Sequence, residues 1–204
     1  MRTLLRMDAH AEACHISPMP QAGKHRGWYR PRSVPHFDTP ERPQFITFRL
    51  ADSLPREVAV TRAGEGSQDY RRRIESALDA GAGACWMARP ELAEIVRDAL
   101  MYGCGRTHDL YAYVVMPNHV HVLTVFRDGF RLADAVRDWK GFSARRINAI
   151  LGREGAFWQK DYFDRFIRDE AHFEHVRFYI ENNPVSAGLT RDAAFWPFSS
   201  LAQR

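Results

Sequence analysis

Residues 116–123 read MPNHVHVL, and the two histidines in this run constrain the chain more than any other feature. In a β-strand successive side chains alternate faces, so residues two apart point the same way. His119 and His121 therefore stand side by side, while Val120 and Val122 point to the opposite face. Two imidazoles in an apolar run need partners, because a polar group withdrawn from water without a hydrogen bond or a metal is costly. Two neutral imidazoles on one strand face make two legs of a metal site, with a third ligand to arrive from another element. Histidines hydrogen-bonded at a strand end are the plainer alternative.

The flanking sequence gives this strand a fold. LYAYVVM (110–116) and HVHVLTVF (119–126) are apolar runs separated by Pro117 and Asn118, which read as the tight turn of a hairpin. QFITFRL (44–50) alternates and reads as an earlier strand, and DYFDRFIRD (161–169) as a short later one. Helical spacing is found over 67–81 (Tyr70, Ile74, Ala77, Leu78) and over 90–103, where Pro90 suits a first turn. It returns over 131–152, with Leu132, Val136, Trp139, Ile147 and Ile150 on the core side. A last helix over 171–184 should end near Asn182 or Asn183, because Pro184 disfavours helical backbone in the residue before it. The order β, α, α, β, β, α, β, α predicts an α+β protein with an antiparallel sheet carrying helices.

The chain has 204 residues, 45% hydrophobic and 26% charged, enough for one domain with a substantial core. Residues 1–42, rich in Pro, Gly and Arg, read as a basic, partly mobile tail. Residues 43–190 read as the domain, and 191–204 as a C-terminal tail. No apolar run is long enough to span a membrane, and the first residues, MRTLLRMDAHAEACH, are too broken for a signal peptide. A reducing compartment is therefore expected, with Cys14, Cys85 and Cys104 unpaired and without zinc-knuckle spacing. The net charge is +4. Its excess falls on the N-terminal tail and on residues 127–168, which hold ten Lys/Arg against six Asp/Glu. A basic surface beside a metal-type motif points to a polyanionic partner, with a solvated helix face as the alternative. Arg137, Lys140, Arg145, Arg146, Lys160, Arg165 and Arg168 are the candidate phosphate contacts, and Trp139 or Trp158 could stack on a base.

The last helix adds chemistry. Tyr179 and Asn183 are four apart, one above the other on a helical face. Asn183 offers an oxygen ligand and Tyr179 a phenol able to act as a nucleophile. Taken alone, a tyrosine beside the stripe Phe173, Val176 and Ile180 is more simply a packing residue. Tyr162, in WQKDYFDR, is the fallback nucleophile, although a strand position suits a structural role better.

Together, MPNHVHVL, WQKDYFDRFIRDE and HVRFYIENNPVSAGL, with PHFDTPERPQFITFRLADSLP upstream, closely resemble the IS200-like single-tyrosine transposases. More narrowly they resemble the REP-associated branch, within the HUH nucleases that carry two histidines around a hydrophobic residue. The resemblance covers about residues 35–200. It implies a ferredoxin-like antiparallel sheet with helices. It implies that His119, His121 and Asn183 hold a divalent metal, Mg²⁺ or Mn²⁺, and that Tyr179 is the catalytic nucleophile. It further implies a metal-dependent single-strand DNA endonuclease and strand-transferase, a transposase working through a 5′-phosphotyrosine. The implied partner is single-stranded, hairpin-forming DNA of palindromic repeats, handled by a monomer or homodimer in the bacterial cytoplasm at the nucleoid. The alternative is a domesticated regulator that grips the hairpin without cutting. A metallohydrolase unrelated to DNA ranks last, because Val122 and Leu123 stand where an HxHxDH continuation would fall.

Overall fold

The computed structural model describes residues 24–31, 35–59 and 66–203; residues 1–23, Cys14 among them, lie outside this set, and Cys85 and Cys104 are free thiols. The strands are β1 (Gly27–Tyr29), β2 (His36–Asp38), β3 (Gln44–Arg49), β4 (His108–Val115), β5 (His119–Phe126) and β6 (Phe163–Phe166). The helices are α1 (Arg56–Ala59), α2 (Ser67–Asp79), α3 (Pro90–Met101), α4 (Leu132–Leu151) and α5 (Glu170–Ser186).

Four strands form one sheet in the order β4-β5-β3-β6, with every neighbouring pair antiparallel. The central strands β3 and β5 are the first and third of the four in chain order. The crossovers before β4 and before β6 carry helices to the same face. This is the ferredoxin-like arrangement, a split β-α-β pair. On that face Ile46 and Phe48 of β3, Val120 and Val122 of β5, Leu92 and Val96 of α3, and Val136, Trp139 and Ile147 of α4 form one buried cluster. Each fully buried side chain of this size contributes about 1.5–3 kcal/mol. The opposite face packs Phe45, Val114 and Leu123 against Val176 and Ile180 of α5. With both faces covered, β5 is buried along nearly its whole length, which explains why its sequence is an apolar run rather than a clean alternation.

The structure departs from the sequence reading in four places. First, α5 runs through Pro184 to Ser186 instead of ending at Asn182 or Asn183. Pro184 removes one backbone donor, but Ala187 N still donates to the Asn183 carbonyl (2.9 Å) and Leu189 N to that of Pro184 (2.9 Å). The turn carrying Asn183 therefore stays helical. Its start is fixed by Asp169, whose carboxylate accepts from His172 N at 2.8 Å, a normal N-cap.

Second, the described part of the segment expected as a tail contains a β1–β2 ribbon with Trp28 opposite Phe37. Asp38 of β2 is buried and accepts from the backbone N–H of Leu132 (3.2 Å), at the start of α4. The carboxylate thus meets the positive end of that helix from outside it. His36 is paired with Asp164 of β6 in the interior. Third, Ile150 is 51% exposed and Trp158 is buried, while Trp139 is buried on the core side as its spacing predicts. The Trp158 indole donates to the Ser143 hydroxyl (2.9 Å), so neither tryptophan is available to a base. Fourth, the C-terminal segment lies along β4: Val115 N donates to the Phe198 carbonyl (2.8 Å) and Ser200 N to that of Tyr113 (3.0 Å). It shields an otherwise open sheet edge.

His108, opening β4, is buried, with Nε2 3.0 Å from the Leu100 carbonyl and Nδ1 2.8 Å from the Thr107 hydroxyl. Burial pulls its pKa from 6.5 down to about 4. The unfolded chain therefore binds a proton below pH 6.5 that the folded protein refuses, and stability falls as pH drops from 6.5 towards 4. Between pH 7 and pH 5 this residue should cost roughly 2 kcal/mol. Urea unfolding of His108→Gln should show a smaller loss over that interval than the natural chain; an equal loss would contradict the assignment.

Candidate active site

The site begins at the turn Met116–Asn118. Asn118 ends the turn and its amide is buried. Its Nδ2 donates to the carbonyls of Leu78 and Ala82, both at 3.0 Å, so its Oδ1 is left facing His119 Nδ1 at 2.7 Å. With the amide oriented by two acceptors, Nδ1 must be the protonated nitrogen of His119. Its Nε2 then carries a lone pair, as in a metal-ligating or basic imidazole held by a carbonyl oxygen.

His121 lies two residues on, its ring centroid 4.7 Å from that of His119. Register places it beside Thr47 of β3 and Val114 of β4. The Thr47 hydroxyl is 2.7 Å from its Nδ1, and Phe45 stacks on its ring at 5.4 Å. Both imidazoles are almost wholly buried. Burial pulls His119 down to about 3 and holds His121 well below its usual value, so both are neutral at physiological pH.

Helix α5 crosses this face. The Tyr179 hydroxyl is 3.4 Å from His121 Nε2, and its ring meets that of Phe45 edge-on at 6.0 Å. One turn later Asn183 is buried, with neither amide atom hydrogen-bonded. The structure thus brings all four residues, His119, His121, Tyr179 and Asn183, to one place. Tyr162 is elsewhere. Its ring stacks on His36 (4.3 Å) and its hydroxyl is 3.1 Å from that of Tyr29, so it serves the docking of the ribbon rather than the histidine face.

Two charged residues that the sequence reading passed over also reach the site. Asp79, the last residue of α2, has Oδ1 3.9 Å from His119 Nε2. That oxygen is buried and unpartnered, and desolvation raises the carboxyl to about 6. Tyr179 is raised above its usual value by burial first, and then by Glu75 and Asp79. Arg49 of β3 pairs in register with His119. It is half-buried, which lowers its pKa; it donates to the Ser53 hydroxyl (3.2 Å) and has no carboxylate partner among the described residues. Strand parity puts Arg49 on the face of Phe45 and Thr47, but only the pairing of β3 with β5 reveals what it stands beside. An acidic residue in the last turn of a helix opposes the helix dipole, and this was the available signal for Asp79.

The buried Nε2 of His119, the Asn183 amide and the Asp79 oxygen meet here, with the Asn183 side chain set against both of the others. Imidazole nitrogen with amide and carboxylate oxygen suits a divalent cation of the Mg²⁺ or Mn²⁺ type, so the residues fit the metal that the resemblance implies. The described residues hold no group of three His, Cys, Asp or Glu able to bind one; Asn183 is needed to complete the set.

The candidate phosphate contacts divide between the faces of the sheet. Arg165 lies on the histidine face, in register with Phe45, and Arg168 is exposed just before α5. The α4 residues sit behind the sheet. Arg137 pairs with Asp134 (2.7 Å) and Asp138 (3.3 Å). Lys140 donates to the carbonyls of Gln159 (2.8 Å) and Lys160 (3.0 Å). Lys160 is exposed in the loop before β6. Arg145 and Arg146 are exposed beside Phe142 and Ile150, with the Arg146 guanidinium 5.9 Å from the Phe142 ring centroid.

Residues 89–183 match the sequence model of the family described as Transposase IS200 like. The resemblance to the IS200-like transposases carried by the motifs is therefore shown, and the segment from α3 to Asn183 is its core. A REP-associated tyrosine transposase of Escherichia coli (strain K12) is 27% identical over 115 residues, 56% of this chain. The match spans 63% of that protein, less than two thirds of its length. Among solved structures, a REP-associated tyrosine transposase bound to a REP hairpin aligns with a TM-score of 0.55 at 19% identity, over 86% of this chain and 82% of that one. That is a likeness of fold. A putative transposase from Deinococcus radiodurans R1 aligns with a TM-score of 0.37 at 21% identity, over 76% of this chain and 97% of that one, too distant in geometry to add to the comparison.

The tautomer of His119 is directly measurable. Nitrogen-15 NMR of the metal-free protein at neutral pH should show Nδ1 protonated and Nε2 bare. Asn118→Ala should allow the other tautomer. Finding Nε2–H in the natural chain would contradict this reading of the site.

Proposed function

We propose that this chain is a tyrosine transposase that cleaves and rejoins single-stranded DNA beside a hairpin, with Tyr179 as nucleophile and His119, His121 and Asn183 as ligands to a divalent cation. The observation that carries the reading is the Tyr179 hydroxyl held 3.4 Å from His121 Nε2, next to the unpartnered His119 Nε2 and Asn183 amide. The IS200-like segment and the REP-associated relatives support the same substrate class. A hairpin is also what the structural neighbour holds.

The phenol is a poor nucleophile as it stands. Burial and two nearby carboxylates keep it protonated, and even a free tyrosine is only about one part in a thousand phenolate at neutral pH. A bound divalent ion would offset those carboxylates, polarise the scissile phosphate and stabilise the departing oxygen. The chain's own residues do the positioning. Thr47 and Asn118 hold the two imidazoles in place, and α5 fixes Tyr179 and Asn183 one turn apart. Arg49, without a carboxylate partner among the described residues and beside His119, is placed to receive a phosphate oxygen. Attack by Tyr179 Oη on phosphorus forms a 5′-phosphotyrosine and breaks the bond to the 3′-oxygen, which leaves as a hydroxyl after taking up a proton. That hydroxyl, or another like it, can later attack the phosphotyrosine and regenerate the phenol.

Arg165 and Arg168 are the phosphate contacts closest to this chemistry in the fold. Arg137, Lys140, Arg145, Arg146 and Lys160 would serve the duplex stem at a distance from the cut. Such contacts are independent of sequence and weaken with salt.

The test is incubation of the full chain with a hairpin oligonucleotide carrying a single-stranded flank, with and without Mn²⁺. A covalent protein–DNA adduct should appear only with the ion. It should vanish in Tyr179→Phe and fall by roughly a hundredfold or more in His119→Ala. Full adduct in Tyr179→Phe would remove Tyr179 from its role. Hairpin binding with no adduct under any condition would favour the non-cutting regulator.

A further inference from the structure

We propose that Trp28, on the outward side of the β1–β2 ribbon, is a stacking platform for an unpaired base in the single-stranded flank of the DNA. The inference rests on the single-stranded DNA reading above. It names a contact outside residues 89–183, the segment that matches the family.

The ribbon has two unlike sides. Register pairs Gly27 with Asp38 and Tyr29 with His36, and sets Trp28 opposite Phe37 between them. The outer two pairs carry the anchors. The Tyr29 hydroxyl is 3.1 Å from that of Tyr162, His36 is paired with Asp164, and Asp38 lies 3.2 Å from His25 Nδ1. Phe37 N also donates to Asp164 Oδ2 (3.0 Å), and Gln44 Nε2 to the Phe37 carbonyl (2.8 Å). Alternation turns the side chains of Trp28 and Phe37 the other way. There the indole rests against the rings of Phe37 (5.0 Å) and Phe166 (6.1 Å), which lie 5.1 Å from each other. Trp28 is nevertheless 65% exposed. A large ring fixed from below and open to water above is what a stacked base requires.

Charge decides what kind of partner fits. Lys24 and Arg26 precede β1, Arg30 follows it, and the Arg42 guanidinium lies 5.6 Å from the Phe166 ring centroid. All four are exposed, and none forms an ion pair among the described residues. Against them stand the exposed acids Glu41 and Asp128, while Asp38 and Asp164 are buried in their own pairs. An apolar protein surface would cover these cations without a counter-charge. A nucleotide offers a ring to Trp28 and a phosphate to a neighbouring guanidinium together. Position agrees with this choice. Phe166 follows Arg165, which is in register with Phe45, and the Phe45 ring stacks on His121. Strand β6 lies two strand spacings, about 10 Å, from β5. A DNA strand leaving the histidines across β3 therefore reaches the edge where the ribbon sits.

The experiment measures DNA binding by the full chain, read by fluorescence anisotropy with a chelator present so that no strand is cut. The probes are a hairpin with a single-stranded flank, the same hairpin without it, and flanked hairpins lacking one base at each flank position in turn. Trp28→Ala should weaken the flanked hairpin by roughly fivefold to a hundredfold and leave the unflanked one within about twofold. Trp28→Phe should restore most of the loss. One base-less position should weaken binding by the natural chain to a like degree and add nothing in Trp28→Ala. Mere loosening of the ribbon would not produce that coupling. Unchanged binding by Trp28→Ala, an equal loss on both hairpins, or a flank in which no base matters would overturn the platform and leave the DNA reading standing. A natural chain that binds neither hairpin would overturn both.

Discussion

The antiparallel pairing of β3 with β5 is the constraint on which the rest depends. It sets Thr47 beside His121 and Arg49 beside His119, and it buries both imidazoles so deeply that they remain neutral. A slip of one residue would turn the histidines into the apolar cluster under α3 and α4 and bring Val120 and Val122 to α5. The register is held because each face is filled: valines, Ile46 and Phe48 on one side, and Phe45, Leu123 and α5 on the other.

Given that register, the site follows from three anchors. Asn118 uses both ends of its amide, one for α2 and one for His119. Asp169 starts α5 and the helix continues past Pro184, so Tyr179 and Asn183 keep their one-turn relation. Asp38 and His36 fasten the β1–β2 ribbon to α4 and β6 on the other side of the sheet. On the histidine face, His119 Nε2, Asp79 Oδ1 and both amide atoms of Asn183 are buried within one small cluster. Elsewhere in the described fold, buried ionisable groups such as His36, Asp38 and Asp164 have found partners. A folded chain normally satisfies its buried polar groups, and the concentration of such atoms around His119 and Asn183 marks the place where a ligand belongs.

The fold and much of the site were legible in the sequence. Alternation, helical spacing and the Pro-Asn turn placed the main strands and helices, and the HxH parity together with the Tyr179–Asn183 spacing named residues that the structure gathers together. What escaped was set by long-range contact. Asp79 and Arg49 look like ordinary surface charges until α2 and β3 are folded against the histidines. The ribbon over 27–38 is held by Asp38 and His36 through partners far along the chain, so its local composition reads as a tail. Pro184 misleads for a related reason: its local preference is real, but packing of Ile180 and burial of Asn183 carry the helix on. Trp158 read as available because its neighbours are basic, whereas its indole lies beneath α4 on Ser143.

A divalent cation at the histidine face is the central proposal, and a search for that cation tests it most directly. Crystals of the full chain soaked in Mn²⁺ should show a single strong anomalous peak bonded to His119 Nε2, His121 Nε2 and Asn183 Oδ1, at about 2.1 Å from each, with the Tyr179 hydroxyl adjacent. A histidine face that stays free of metal at saturating Mn²⁺, or an ion bound only elsewhere on the surface, would contradict it.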